Sequence, residues 1–253
     1  MTIAVMQPTF NPWLGYFDMI DKVDSFILYD DVQLRKSSWQ VRNKIMTPTG
    51  ELFLTVPIKK GIHFERSLIN MAQINDDSKW REKHLKSFFL NYKKALYFNE
   101  VYPFVELIYN KSNSTLADFN ANLIVSISNK IGITTPIIRS SSLSDIEGRK
   151  DDRLVQICKK LVANTYLSAK GSSDYIEEVT PGGQFPINNI ELKYHNYTHP
   201  SYNQHNSTIF TPFIGIIDLL FNVGFYNSLA IIRTGREQDF GFQYYRDQIL
   251  NKA

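Results

Sequence analysis

Two short apolar runs with one helical pattern between them do most to limit how this chain can fold. Residues 3–6 read IAVM and residues 25–29 read SFILY. Between them Leu14, Phe17, Ile20 and Val23 recur at helical spacing. Strand, helix and strand in so short a span predict a βαβ unit, and hence a parallel strand pair. The first run breaks off in MQPTFNPWLGYF, where two prolines, a glycine and the polar Gln7, Thr9 and Asn11 sit among aromatic rings.

The rest of the chain alternates in the same way at both ends, around a helical middle. Residues 42–46 and 52–58 read as strands around the turn TPTG, and 63–74 as a further short strand. From 77 to 131 the pattern is helical, with Gly132 as the closing C-cap. Residues 137–138 read as a strand, 151–163 as a helix with an acidic start, and 165–171 as a strand running into a glycine turn. Residues 190–197 alternate as a strand does. A last helix is expected from about Thr211 and Pro212 to Gly224, followed by a polar, peripheral tail from Gly235. The expected fold is a single α/β domain over residues 1–253, with a Rossmann-like, mostly parallel sheet and a helical insertion at about 77–132.

Composition narrows the function classes. The net charge is +3 with the signs interspersed, so nucleic acid is not a required partner. One cysteine, Cys158, excludes internal disulfides and suits a reducing cytoplasm, the expected location. The N-terminus lacks the pattern of a signal peptide. The most apolar stretch, 210–232, is interrupted by Asp218, Asn222 and two glycines, so no membrane span is expected. Aromatic residues reach 13%, which serves either a core or stacking platforms for sugars and bases.

Ligands of open α/β sheets sit beyond the carboxyl ends of the strands. Two such ends follow closely here, at QPTFNP and at DDVQ. If the strands are neighbours, Gln7, Thr9, Asp30, Asp31 and Gln33 converge on one rim. The helix starting near Trp13 then points its N-terminus there, which favours an anion. The plainer alternative is that Thr9 or Asn11 caps that helix and Asp30 caps a turn. Arg35, Lys36, Arg42 and Lys44 surround Trp39. They form either a solvated strand face or a clamp for a diphosphate or carboxylate, with Trp39 as a stacking platform. In a strand, Arg42 and Lys44 share one face and Asn43 lies on the other. His84 sits in a helix among Lys and Arg, and His199 lies in YTHPSYNQH near Tyr202 and Gln204. The turn AKGSSDY, with Lys170 and Gly171, resembles a small phosphate- or hydroxyl-binding turn. No zinc-ligand spacing and no dinucleotide, P-loop or nucleophile-elbow motif occurs, so no metal is expected.

The opening MQPTFNPWLGYFDMIDKVDSFILYDDVQLRKSSWQVRNKI is similar to that of the WbqC-like family of bacterial proteins. That opening reads approximately Gln-Pro-Thr-x-x-Pro-Trp-x-Gly-Tyr-Phe, then Asp-Asp-Val-Gln, then Trp-Gln-x-Arg-Asn. LTVPIKK, KHL, YLSAKG, YTHPSYNQ and IIDLLFNVG extend the resemblance to Gly224. One departure is Gly215, where the family is expected to carry serine.

The resemblance implies a transferase of O-antigen, lipopolysaccharide or related polysaccharide synthesis that moves glycine or another acyl group to an amino sugar. His84, Asp30 or Asp31 would then remove the proton from the attacking amine. Lys36, Arg42, Lys44 and the first helix N-terminus would hold the diphosphate of a nucleotide sugar, with its base on Trp39. Backbone N–H groups of the 9–11 turn or the Gly171 turn would face the oxyanion. Gln7, Gly15, Tyr16, Gln33, Asn43, Lys170, His199, Tyr202 and Gln204 complete the expected substrate contacts. Cys158 falls in a helix, so direct transfer without a covalent intermediate is expected. The acyl donor is open among acyl-CoA, acyl carrier protein, aminoacyl-tRNA and ATP-activated acids, and a homo-oligomer is equally open. Two alternatives stand beside this: a nucleotide-dependent ligase or nucleotidyltransferase, and a non-catalytic sugar-binding protein.

Overall fold

A computed structural model describes residues 1–35, 38–59 and 67–248. The chain opens with β1 (Thr2–Met6), α1 (Leu14–Lys22) and β2 (Ser25–Leu28), the βαβ unit read from the sequence. A hairpin follows, β3 (Arg42–Thr47) and β4 (Gly50–Thr55), then three helices, α2 (Trp80–Tyr92), α3 (Phe98–Asn110) and α4 (Leu116–Lys130). The chain then returns to the sheet with β5 (Ile137–Arg139), α5 (Lys150–Lys160), β6 (Thr165–Ser168), α6 (Ser173–Ile176) and β7 (Glu191–Tyr194). It closes with α7 (Ile216–Thr234), β8 (Phe240–Gly241) and α8 (Phe242–Gln248).

The sheet runs β5-β2-β1-β6-β7-β8. Counted in chain order among themselves, its strands follow the 3-2-1-4-5-6 order of dinucleotide-binding folds. Five strands are parallel and β8 is antiparallel. Both faces are covered, which is why β1 and β2 read as unbroken apolar runs. Ala4, Phe26 and Leu28 face α1, α7 and the inserted elements, while Ile3, Val5 and Ile27 face α5 and the C-terminal segment. The insertion places Trp80, Phe88, Tyr92, Tyr109 and Phe119 in the same core as α1 and α7. Most of the aromatic content is therefore packing.

Three expected elements differ. The tail from Gly235, expected to be polar and peripheral, adds β8 to the sheet edge and buries Tyr245 beside Tyr194 of β7. Residues 63–66 lie outside the described residues. The rest of the expected strand over 63–74 is a short 3-10 turn, Ile69–Met71, with isolated bridges. It docks by Ile69 N and Asn70 N onto the carbonyls of Val32 and Asp30 (3.0 and 2.9 Å). The last helix starts later than expected because Phe213 takes a left-handed φ of 61°. It also continues past Gly224, to Thr234. Gly224 breaks it with φ 74° and ψ 171°, a region essentially reserved for glycine. The Phe221 carbonyl at this break accepts from Tyr97 N (3.2 Å). By length and composition α7 would suit a membrane span, yet most of it is buried inside the protein.

A Cβ at Gly224 would stand 2.5 Å from the Tyr97 ring. Backbone strain and overpacking together predict that Gly224→Ala costs about 2–5 kcal/mol. Urea unfolding followed by circular dichroism measures this, and a change below about 0.5 kcal/mol would contradict the packing described.

Candidate functional site

The sheet opens where its chain order reverses. β1 pairs with β2 from Ile3 to Met6, but meets β6 only at Thr2 and Ile3. β6 meanwhile pairs with β7 along its whole length. The carboxyl ends of β1 and β6 therefore part, and crevices of this kind hold ligands in open α/β sheets. The loop after β1, the first turn of α1, the turn after β6 and the residues just past β7 surround the parting. In the first turn of α1, Tyr16 N donates to the Trp13 carbonyl (3.1 Å), and Leu14, Gly15 and Tyr16 are buried. A side chain at Gly15 would collide with the Trp13 ring. Trp13 in turn packs against Tyr197, Phe213 and His199, at 5.6, 5.4 and 6.1 Å between ring centres.

The loop after β1 is held by side-chain amides. Asn43 Nδ2 donates to the carbonyls of Asn11 (2.6 Å) and Phe10 (3.3 Å). Asn120 Nδ2 donates to those of Pro8 (2.9 Å) and Gln40 (2.8 Å). Gln40 Nε2 donates to Gln7 Oε1 (2.5 Å). Asn11 caps a helix, but α7 rather than α1: its Oδ1 accepts from Ile217 N (3.1 Å). Its amide fills the space where a side chain at position 215 would begin, so this Asn11 requires Gly215. Asn11 and Asn43 are thus buried supports rather than substrate contacts. Gln40 belongs to the Trp-Gln-x-Arg-Asn motif, and the sequence signal for Asn120 is an asparagine amid the apolar positions of LADFNANLI. Gln7 and Thr9 lie half-buried on this loop.

The expected bases are engaged elsewhere. Asp30 is fully buried; its carboxylate accepts from Arg139 Nε (2.5 Å), Ser141 Oγ (2.8 Å) and Ser141 N (3.0 Å), and its N–H donates to Ser140 Oγ (3.1 Å). Asp31 accepts from Ser140 Oγ and from Arg153 Nη2, both at 2.5 Å. These contacts tie β2 to the end of β5 and to α5, and leave neither carboxylate poised as a base. Gln33 is exposed and bridges to Leu68. His84 lies among Trp80, Phe10 and Tyr109, with Nδ1 3.3 Å from the Tyr109 hydroxyl. Burial pushes its pKa down to about 4, opposed by a hydrogen bond to the Thr55 backbone and reinforced by the Arg81 charge. It is a neutral packing histidine. Burial pushes Cys158 up to about 12, so it is no nucleophile.

Several expected contacts also turn inward. Tyr16 is buried and donates to the Gln7 carbonyl (3.1 Å). Tyr202 and Gln204 donate to the buried Asp218 (2.8 and 3.2 Å), which Tyr92 also reaches (2.5 Å). Burial raises the pKa of Asp218, and these three donors oppose the rise. Trp39, 53% exposed, stacks on Phe53 on the outer face of the hairpin. There Arg42 covers the Phe53 ring and Lys44 pairs with Glu51 (2.7 Å). Lys36 lies outside the described residues. Lys170 and Gly171 do stand at the parting, in the turn after β6, with Lys170 Nζ donating to Asn196 Oδ1 (2.8 Å). His199 donates from Nδ1 to the Pro200 carbonyl (3.0 Å), and its Nε2 is buried without a partner.

The strongest pair of groups for chemistry is one the sequence reading passed over. His195 continues the β7 edge, its N–H bonded to the Ser168 carbonyl (2.8 Å). Its Nε2 lies 2.7 Å from Oδ2 of Asp18, a fully buried carboxylate in α1. Arg236 Nε holds the other oxygen of Asp18 (2.8 Å). So placed, Asp18 favours the Nε2–H tautomer and leaves Nδ1 as the proton acceptor. Among the described residues Nδ1 has no hydrogen-bond partner. A histidine oriented by a buried carboxylate is a recurring general-base arrangement. The signal was present: Asp18 is a charge on the apolar face of GYFDMI.

The chain matches the WbqC-like protein family over residues 7–228. It is 30% identical over 225 residues to the uncharacterized protein Rv1507c of Mycobacterium tuberculosis (strain ATCC 25618 / H37Rv). That alignment covers 88% of this chain and 94% of the relative. No solved structure matches.

The depressed His84 pKa makes a stability prediction. Below about pH 6.5 the unfolded chain takes up this proton while the folded one stays neutral, down to about pH 4. Stability is therefore lost as pH falls through that window, by about 3 kcal/mol in all. His84→Gln removes the titration, so its unfolding free energy should change correspondingly less between pH 7 and pH 4 in urea melts. Parallel pH profiles of the two proteins would overturn the assignment.

Proposed function

The chain belongs to the WbqC-like family, and from that premise we propose that it is a transferase that forms an amide on a nucleotide-linked amino sugar. The setting is synthesis of surface polysaccharide such as O-antigen, in the cytoplasm. The observation that carries this reading is the Asp18–His195 pair beside the parted ends of β1 and β6.

Each requirement of the reaction has residues to meet it. The diphosphate of the acceptor lies toward the N-terminal end of α1, where the helix dipole favours negative charge. Lys170, in the turn after β6, adds a cation at the Asn196 side of the site. As the amine attacks the activated acyl carbon, a C–N bond forms, the donor's leaving group departs, and the nitrogen must shed a proton. His195 Nδ1 takes that proton, and Asp18 stabilises the imidazolium. Arg236 keeps the Asp18 carboxylate aimed. Backbone N–H groups of the Gly171 turn face the developing oxyanion. The donor is any acyl group activated outside this chain.

A nucleotide-linked amino sugar at 100 times its Kd should add about 2.7 kcal/mol of stability, a rise in Tm of several degrees. His195→Ala should keep that rise and lose product formation roughly 10²–10⁴-fold. No shift with a panel of uridine, thymidine and guanosine diphosphate amino sugars at millimolar concentration would sink the reading. Undiminished turnover in His195→Ala would remove His195 from it.

A further inference from the structure

A second concavity lies at the outer edge of the sheet, one strand beyond the crevice. It is a groove of about 520 Å3 lined by Asn196, Glu237, Gln238, Asp239, Phe240 and Tyr244. One wall is aromatic. The Phe240 and Tyr244 rings stack at 5.5 Å with 19° between their planes, and Tyr244 is 56% exposed. The other wall carries side-chain amides and carboxylates. Asp239 is neutralised by Lys22 (2.6 Å). The Glu237 carboxylate accepts from Thr198 Oγ1 and from Asn196 Nδ2 (3.1 Å) and forms no ion pair among the described residues, although Lys22 Nζ reaches the Glu237 backbone carbonyl (3.2 Å). It keeps lone pairs for further donors.

We propose that this groove is a carbohydrate subsite that takes one pyranose ring. An apolar sugar face packs flat on the exposed Tyr244 ring, which Phe240 backs from behind, as C–H groups do on an aromatic surface. The ring hydroxyls donate to Glu237 and exchange hydrogen bonds with Asn196 and Gln238, which offer both donors and acceptors. The Glu237 carboxylate, which forms no ion pair among the described residues, disfavours a phosphate here.

The groove meets the turn after β6 at Lys170. Lys170 Nζ sits 5.1 Å above the Phe240 ring while bonded to Asn196, and Asn196 directly follows His195. A sugar held here lies beside the turn assigned to the crevice wall. As an acceptor subsite the inference rests on the proposed function, but ring recognition by the groove does not.

The test is saturation-transfer NMR with methyl pyranosides at millimolar concentration, among them glucoside, N-acetylglucosaminide, 2-amino-2-deoxyglucoside and fucoside. At least one should receive saturation on its ring protons, and Tyr244→Ala should weaken that binding at least tenfold with an unchanged melting curve. Glu237→Gln, which keeps an acceptor oxygen, should weaken it severalfold. Transfer to none of the glycosides, or equal transfer in Tyr244→Ala, overturns the subsite. Equal competition by tetramethylammonium would assign the groove to a cation and overturns it too. Uridine diphosphate alone separates the two readings. If it binds the protein and Tyr244→Ala alike while no glycoside binds, the groove falls and the crevice stands. If a glycoside binds and no nucleotide sugar does, the groove stands and the proposed function falls.

Discussion

A polypeptide that leaves a strand inside the protein must find partners for every backbone group it carries there. The loop after β1 meets that demand almost atom by atom. The Gln7 carbonyl accepts from the Tyr16 hydroxyl, that of Pro8 from Asn120, and those of Phe10 and Asn11 from Asn43. The Pro12 carbonyl accepts from Ile216 N, and Phe10 N donates to the Trp39 carbonyl. Pro8 and Pro12 bring no N–H and so remove two donors from the problem. Hairpin, inserted helices and α7 each supply a partner, so elements far apart in sequence converge on one turn.

Buried charge is handled in three ways in this protein. Asp30 and Asp31 meet arginines and serine hydroxyls, and serve to bolt strand ends together. Asp218 meets only neutral donors, two tyrosines and a glutamine, beside the first turn of α7, where the helix dipole favours an anion. Asp18 is shared between an arginine and a histidine, and only there does the partner have a second nitrogen able to exchange protons. That difference, rather than burial itself, separates a candidate catalytic carboxylate from a structural one.

The parallel layers were legible because apolar periodicity reports burial directly. β1, α1 and β2 fall where the pattern puts them, and so does the sharing of one hairpin face by Arg42 and Lys44. What periodicity lacks is the identity of polar partners. His84 among lysines reads as a surface residue or a base, and only the fold shows Trp80, Phe10 and Tyr109 closing around it. Asp30 and Asp31 follow β2 as the pattern predicts, yet their partners lie on residues 139–153, beyond the reach of local spacing. His195 was read as one position in an alternating strand, and its meaning depends on Asp18 of α1. The late start of α7 escaped because its cap comes from Asn11, near the other end of the chain.

The fit of Asn11 against Gly215 reaches beyond this one molecule. Neither residue can be exchanged freely while the other stays. A side chain at 215 evicts the amide that caps α7, and loss of that amide leaves a hole that only a larger residue at 215 can fill. The two positions therefore form one unit of inheritance. A side chain at 215 in this chain therefore demands a different residue at position 11.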